Sequence, residues 1–254
     1  MKPRVGLFVT CLVDLMRPNV GFAALRLLDT CGVEVVVPEN QTCCGQPAYN
    51  GGDMENARAV ARDVIAAFEG FDHVVVPSGS CAGMIRVHYP KLFDADDAWR
   101  ARAEALSAKT WELTQFLSVH LDLNQPLAKF RASVTYHDSC SGLRELGVKA
   151  QPRRLLAAVD GVTLRELEDT EECCGFGGLF SVKHPDISMS MADKKADRVE
   201  AAGTDVLAGG DLGCLANIAG RLKKRGSAVR VLHVAEILAG MGFEPAIGEG
   251  EDGA

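Results

Sequence analysis

Eight of the nine cysteines in this 254-residue chain obey one repeated rule. The first set is Cys11, Cys43, Cys44 and Cys81. The second is Cys140, Cys173, Cys174 and Cys214, displaced from the first by 129, 130, 130 and 133 residues. Each adjacent pair runs into glycine, as Cys43-Cys44-Gly45 and Cys173-Cys174-Gly175. Four thiols per set can ligate a soft metal, cycle through disulfides or simply pack as small apolar groups. Only Cys31, at the end of an expected helix, stands outside the rule, and it reads as an inert packed thiol.

A matched repeat of eight thiols in glycine-bearing loops is hard to ascribe to packing. Zinc sites usually draw on close C-x2-4-C knuckles. Neither set has one: the intervals are 31, 0 and 36 residues in the first set and 32, 0 and 39 in the second. Zinc therefore remains an alternative. An iron–sulfur cluster presents several irons a few ångströms apart, so neighbouring thiolates can bind different irons of one cluster. Four thiolates match the usual ligand count of a [4Fe–4S] cluster, which predicts up to one cluster per set. The glycine after each pair lets the backbone come close and offer N–H donors to sulfur.

The surrounding elements repeat as well. Val5–Thr10, Val33–Pro38 and His73–Pro77 read as β-branched buried strands, with a helix from Pro18 to about Thr30 and another over Asp53–Phe68. Asp94–Leu121 reads as mainly helical, with Trp111, Leu113, Phe116 and Leu117 as core candidates. The second half offers strands at Ser133–Tyr136, Val162–Leu167 and Asp205–Ala208, and a helix over Ile187–Ala201. Val231–Leu238 echoes the pattern of Trp111–Leu117. The expected fold class is α/β, with two pseudo-repeated parallel-sheet domains and cysteine-bearing loops at the strand carboxyl ends. The break at Leu123–Pro126 divides a domain over residues 1–125 from one over 126–254. A Gly- and acid-rich tail from about residue 247 is expected to be flexible.

Composition excludes several classes. A net charge of -7 and no basic patch argue against nucleic acid. Lys194-Lys195 and Lys223-Lys224-Arg225 read as solvated helix faces. No stretch reaches the roughly 18 apolar residues of a membrane span. The amino-terminal apolar run meets Asp14 without a cleavage pattern, so it reads as a strand, not as a signal peptide. Clustered thiols without secretory features lead us to expect a cytoplasmic protein. No Rossmann or Walker glycine motif supports a nucleotide site.

The doubled C-x31/32-CCG motif with its distal cysteine resembles the CCG (cysteine-rich) domain found in heterodisulfide reductase. The same domain occurs in iron–sulfur subunits of glycolate- and glycerol-3-phosphate-oxidising systems. Ser78-Gly-Ser-Cys81-Ala-Gly and Cys173-Cys174-Gly-Phe-Gly-Gly-Leu-Phe-Ser-Val-Lys-His-Pro are more closely similar to the lactate utilization protein A group. The resemblance runs to about Gly242. It implies an iron–sulfur electron-transfer subunit of an L-lactate-oxidising complex, an oxidoreductase of the L-lactate dehydrogenase type. Such a subunit works with two further subunits and hands electrons to a carrier. The alternatives are a catalytic subunit whose site-differentiated cluster binds a disulfide or substrate directly, and a zinc-stabilised scaffold.

The family motif ends C-x-x-C. Here the corresponding stretches are Ser78-Gly-Ser-Cys81 and Asp211-Leu-Gly-Cys214, so each set is one thiol short. The five-cysteine motif of heterodisulfide reductase holds a noncubane cluster that reduces a disulfide, and four thiols do not carry that over. Ser78 and Asp211 read either as oxygen ligands or as ordinary turn residues. His137-Asp138 reads as a hydrogen-bonding or proton-relaying pair near Cys140, or as a satisfied structural histidine. His184-Pro185 reads as the cap of the next helix.

Overall fold

The computed structural model describes residues 2–121, 127–243 and 245–249. Its frame is two four-stranded parallel sheets of identical order. β1 (Arg4–Leu7), β2 (Glu34–Val36), β3 (His73–Val76) and β4 (Thr110–Glu112) pair in the order β2-β1-β3-β4. β5 (Lys129–His137), β6 (Asp160–Leu164), β7 (Val206–Gly209) and β8 (Arg230–His233) pair as β6-β5-β7-β8. Every pairing is parallel. Sheets of this kind are covered on both faces, so their inner strands are apolar throughout. Val74, Val75 and Val76 of β3, and Val206, Leu207 and Ala208 of β7, are all buried.

The helices of the first half are α1 (Cys11–Met16), α2 (Pro18–Thr30), α3 (Gln46–Asn50), α4 (Met54–Phe68) and α5 (Gly79–Gly83). A π-helical turn at Met84–His88 leads into α6 (Tyr89–Leu92), α7 (Asp97–Lys109) and α8 (Leu113–His120). The second half supplies α9 (Cys140–Arg144), α10 (Ala150–Ala157), α11 (Leu179–Lys183), α12 (Pro185–Ala201), α13 (Leu212–Lys224) and α14 (Val234–Leu238).

Four of these helices form a shared middle layer. α2 packs on α14, and α8 packs on α10. One continuous core therefore joins Leu27, Leu28, Phe116 and Leu117 to Leu155, Leu156 and Ile237. The outer faces are closed separately. On α4, the buried residues Ala57, Ala61, Val64, Ile65 and Phe68 fall on one stripe at helical spacing, as a helix on a sheet requires.

Capping fixes where the site-bearing helices begin. Thr10 accepts from the Val13 amide at 3.3 Å, and Ser78 from the Cys81 amide at 3.4 Å. Pro18 and Pro185 open α2 and α12, where a missing N–H costs nothing.

The expected helix over 94–121 is interrupted by β4. Three residues on one edge of the sheet are too few to show an alternating pattern, yet Thr110 and Trp111 favour strand and pair in register with Val74 and Val75. The same strand-to-helix step recurs as β8 and α14, over the stretch Val231–Leu238 that echoes it in sequence. Leu113, Phe116 and Leu117 are buried as expected, while Trp111 is partly exposed. The expected boundary at 123–126 lies outside the described residues. So do residues 250–254 of the expected tail; before them, the Ile247 amide bonds to the Val231 carbonyl at 2.8 Å. Among the described residues no helix is long and apolar enough to cross a membrane.

Candidate metal centre

Parallel strands open their carboxyl ends toward one side of the sheet, and the loops leaving them carry the functional groups. Cys11 and Cys140 begin the helices that follow β1 and β5. Cys81 and Cys214 lie in the first turns of the helices that follow β3 and β7. The adjacent pairs lie in the loops after β2 and β6. The fold therefore brings the four expected cysteines of each half to one place.

In the first half, Cys11 Sγ lies 3.7 Å from Cys43 Sγ, and Cys44 Sγ lies 3.4 Å from Cys81 Sγ. Cys43 and Cys44, adjacent in the chain, join the two pairs. The second half repeats the scheme: Cys140 acts on Cys173 and Cys173 on Cys174, and the sulfurs of Cys174 and Cys214 lie within 4.8 Å of each other. All nine cysteines are free thiols. In each quartet the surroundings favour the thiolate form at one sulfur. The hydrogen bond from Cys11, then that from Cys44, holds Cys43 far below the ordinary thiol range. Cys140 and Cys174 do the same for Cys173. The donors are pushed up in turn, Cys11 and Cys140 by those same bonds first and by burial second.

The glycine of each CCG has a steric reason. Gly45 and Gly175 sit at φ of 80° and 81°, a conformation that L side chains rarely adopt. A β-carbon on Gly175 would also stand 2.5 Å from the Ser188 carbonyl oxygen. The turn aims amides at sulfur: Gly175 N–H donates to Cys173 Sγ at 3.4 Å, and Phe176 N–H to Cys174 Sγ at 3.5 Å. Such bonds favour the thiolate form that a metal needs.

Each quartet opens into a cavity walled by the other half. The cavity over the first, about 250 Å³, is closed by Phe176, Leu179, Val182 and Leu212. The cavity over the second, about 310 Å³, is closed by Gln46, Tyr49, Asn50 and His88. Gln46, Ser80, Phe176, Gly178 and Asp211 border both. The chain sequence carries no signal of this exchange, because it depends on how the two sheets face each other.

The two positions where the family motif has a further cysteine meet at that seam. Ser78 Oγ donates to Asp211 Oδ2 at 3.2 Å, and the Ser80 amide donates to the same oxygen at 2.9 Å. The Gly79 amide bonds to the Gly210 carbonyl at 3.2 Å. Ser78 also caps α5, so both residues are engaged in joining the halves.

His137 is fully buried, and neither ring nitrogen has a hydrogen-bond partner among the described residues. Its ligating nitrogen lies within 4.8 Å of the sulfurs of Cys174 and Cys214, which lie within that distance of each other. The reading of a satisfied structural histidine is thereby set aside. Lys195, expected on a solvated face, is instead fully buried and donates to the carbonyls of Asp169 and Thr170 at 3.0 and 3.2 Å. Amphipathic spacing places it on the stripe of Ser188, Ala192, Ala196 and Val199, a signal that its neighbouring Lys194 obscured. His184 occupies the N-cap position of α12 without a side-chain capping bond. Cys31 Sγ lies 3.5 Å from the Leu27 carbonyl, and burial pushes the thiol up to about 11, as suits an inert group.

Soft donors, free thiols and sulfur-directed amides fit a thiophilic metal or an iron–sulfur cluster at each quartet. The sequence model described as "CCG: Cysteine-rich domain" matches residues 5–86 and 134–219, one match per half. Lactate utilization protein A of Exiguobacterium sp. (strain ATCC BAA-1283 / AT1b) is 51% identical over 238 residues, covering 93% of this chain and 97% of that one. The Geobacillus sp. (strain WCH70) protein of the same name is 48% identical, covering 92% and 98%. Lactate utilization protein A 2 of Bacillus cereus (strain Q1) is 45% identical, covering 93% and 98%. Among solved structures, a hypothetical protein from Helicobacter pylori aligns with a TM-score of 0.64 at 11% identity. That match covers 94% of this chain but only 49% of the other, and it shows a shared fold.

Proposed function

On the premise that this chain belongs to the lactate utilization protein A family of CCG cysteine-rich proteins, we propose that it is the iron–sulfur electron-transfer subunit of a lactate-oxidising complex. The observation that carries this reading is the convergence of two thiol quartets on facing cavities that share a border. Cys11, Cys43, Cys44 and Cys81 would hold one cluster, and Cys140, Cys173, Cys174 and Cys214 the other. A bound cluster takes up and releases single electrons.

The chain's own residues prepare these places. The neighbouring thiols lower Cys43 and Cys173 and favour their thiolate form, which would ease the arrival of a metal at each quartet. Gly175 and Phe176 amides stabilise negative charge on sulfur. Phe176, Leu179 and Val182 limit water at the first quartet. Two sites with a common border suit passage of electrons through the chain between partners; the other subunits of the complex and an electron carrier would supply the ends of that path.

Anaerobic purification followed by iron, sulfide and zinc analysis tests the reading. We expect a brown protein with about four irons and four sulfides per occupied quartet. The mixed nitrogen and sulfur donors around His137 also suit zinc. A colourless protein with equimolar zinc and no sulfide would contradict the cluster and favour a scaffold. Reduction of a disulfide or oxidation of lactate by the isolated chain would favour a catalytic subunit.

A further inference from the structure

The two quartets differ in what stands behind them. Three residues before the first cysteine of each set are Phe8 and His137. Phe8 is buried on β1's exit and packs at 5.4 Å on Phe68, in the core that contains Cys44 and Cys81. His137 ends β5 at the same place in the second half. A phenyl ring there can only fill space. An imidazole brings a soft-to-borderline nitrogen donor that binds the same metals as thiolate.

Burial makes this exchange costly unless the nitrogens are used. A buried polar atom without a partner costs on the order of 1–3 kcal/mol, and His137 has two such atoms. Lys195 cannot accept from the ring, two of its three N–H donors go to loop carbonyls, and neither ring nitrogen is bonded to it. What lies within reach is the sulfur pair Cys174 and Cys214. Those two thiols are the counterparts of Cys44 and Cys81. In the first half that pair has no histidine, aspartate or glutamate with it in a ligand-like group among the described residues.

We propose that His137 is a nitrogen ligand of the metal centre at the second quartet, which is thereby a mixed imidazole–thiolate centre beside an all-thiolate one. The inference rests on the reading that the second quartet holds metal. It answers where a further ligand comes from in a quartet that is one thiol short, since Asp211 is engaged with Ser78 and the Ser80 amide. One ring nitrogen serves the metal, and the other is left to donate to sulfur or sulfide nearby.

The test uses the full chain, labelled with 15N-histidine, loaded with iron and sulfide anaerobically and poised to a paramagnetic state with dithionite or ferricyanide. Pulsed electron paramagnetic resonance then reads nitrogen couplings. We expect a strong coupling of the kind a directly bonded imidazole gives. It should persist in Cys43→Ser, which disables the first quartet, and vanish in His137→Gln and His137→Phe. His137→Phe restores the residue type of the first half, so its second quartet should then read like the first. Metal at the second quartet with only the weak coupling of a hydrogen-bonded ring, or none, would overturn the ligand assignment and leave the proposed function standing. Absence of metal from the second quartet in Cys43→Ser would overturn both. Should a His137 variant fail to fold, a wild-type spectrum without strong coupling still overturns the assignment. So does loss of the coupling in His88→Gln, which alters the other histidine at the second cavity and should leave the coupling in place.

Discussion

The two halves of this protein share a strand order, a thiol quartet and a left-handed glycine, and they part company one layer further back. Phe8 stands where His137 stands in the second half. The helix registers give a second exchange: a β-carbon on Gly45 would face the Ala57 carbonyl, one on Gly175 the Ser188 carbonyl. Seven residues on, Val64 corresponds to Lys195. The first quartet is therefore backed by an apolar pair and the second by a buried polar one. The cavities follow suit, with Leu179, Val182 and Leu212 over the first alone and Tyr49, Asn50 and His88 over the second alone. The lesson is that a repeat can keep its ligands and still make two chemically distinct sites, because the neighbours of sulfur tune it as much as the sulfurs do.

The shared glycine offers the largest test of that comparison. Both substitutions would hold a β-carbon at positive φ, but Gly175→Ala also places it 2.5 Å from the Ser188 carbonyl oxygen, whereas Gly45→Ala meets the Val60 side chain at 3.3 Å. We expect Gly175→Ala to cost on the order of 3 kcal/mol and Gly45→Ala about 1 kcal/mol, by urea unfolding. Equal costs would show that the two CCG turns are held alike.

Next comes a pair of helix caps with opposite responses to pH. Glu112 caps α8 through the amides of Thr114 and Gln115, and His233 caps α14 through the Ala235 amide. Burial pushes Glu112 up to about 7 and His233 down to about 4. Above its unfolded value of 4.5, Glu112 keeps a proton that the unfolded chain has lost, so its contribution to stability falls as pH rises toward 7. His233 stays neutral where the unfolded chain is protonated, so its contribution falls as pH drops from 6.5 toward 4. Glu112→Gln should flatten the first slope and His233→Asn the second, each by up to about 3 kcal/mol across its window. Unfolding midpoints measured from pH 4 to 8 check both. Unchanged slopes would mean that water reaches these caps.

A smaller effect concerns the seam. Asp211→Asn should cost about 2 kcal/mol and Ser78→Ala about 1 kcal/mol, since the aspartate accepts two bonds and the serine gives one of them. In the double variant the costs should fall short of their sum. Strict additivity would mean that these residues act apart and that the halves are joined by the middle helix layer alone.

Much of this arrangement was legible in the chain. Cysteine spacing announced the repeat, and runs such as Val74–Val76 announced buried parallel strands. β4 was hidden because three edge residues cannot display a period. Lys195 was hidden because a lysine beside Lys194 in a charged stretch looks solvated until its place on the buried stripe of α12 is known. His137 could be found in the sequence as a neighbour of Cys140, but its empty hydrogen-bonding capacity is a property of packing. The meeting of Ser78 with Asp211, 133 residues apart, needed both sheets in place.

Independent loading of the two quartets tests the central claim most directly. Iron and sulfide should be counted in the wild-type chain, in Cys43→Ser and in Cys173→Ser, each purified anaerobically. The account predicts that each replacement removes one complement of metal and leaves the other intact. Metal content unchanged in either variant, or lost entirely in both, would contradict two separate centres.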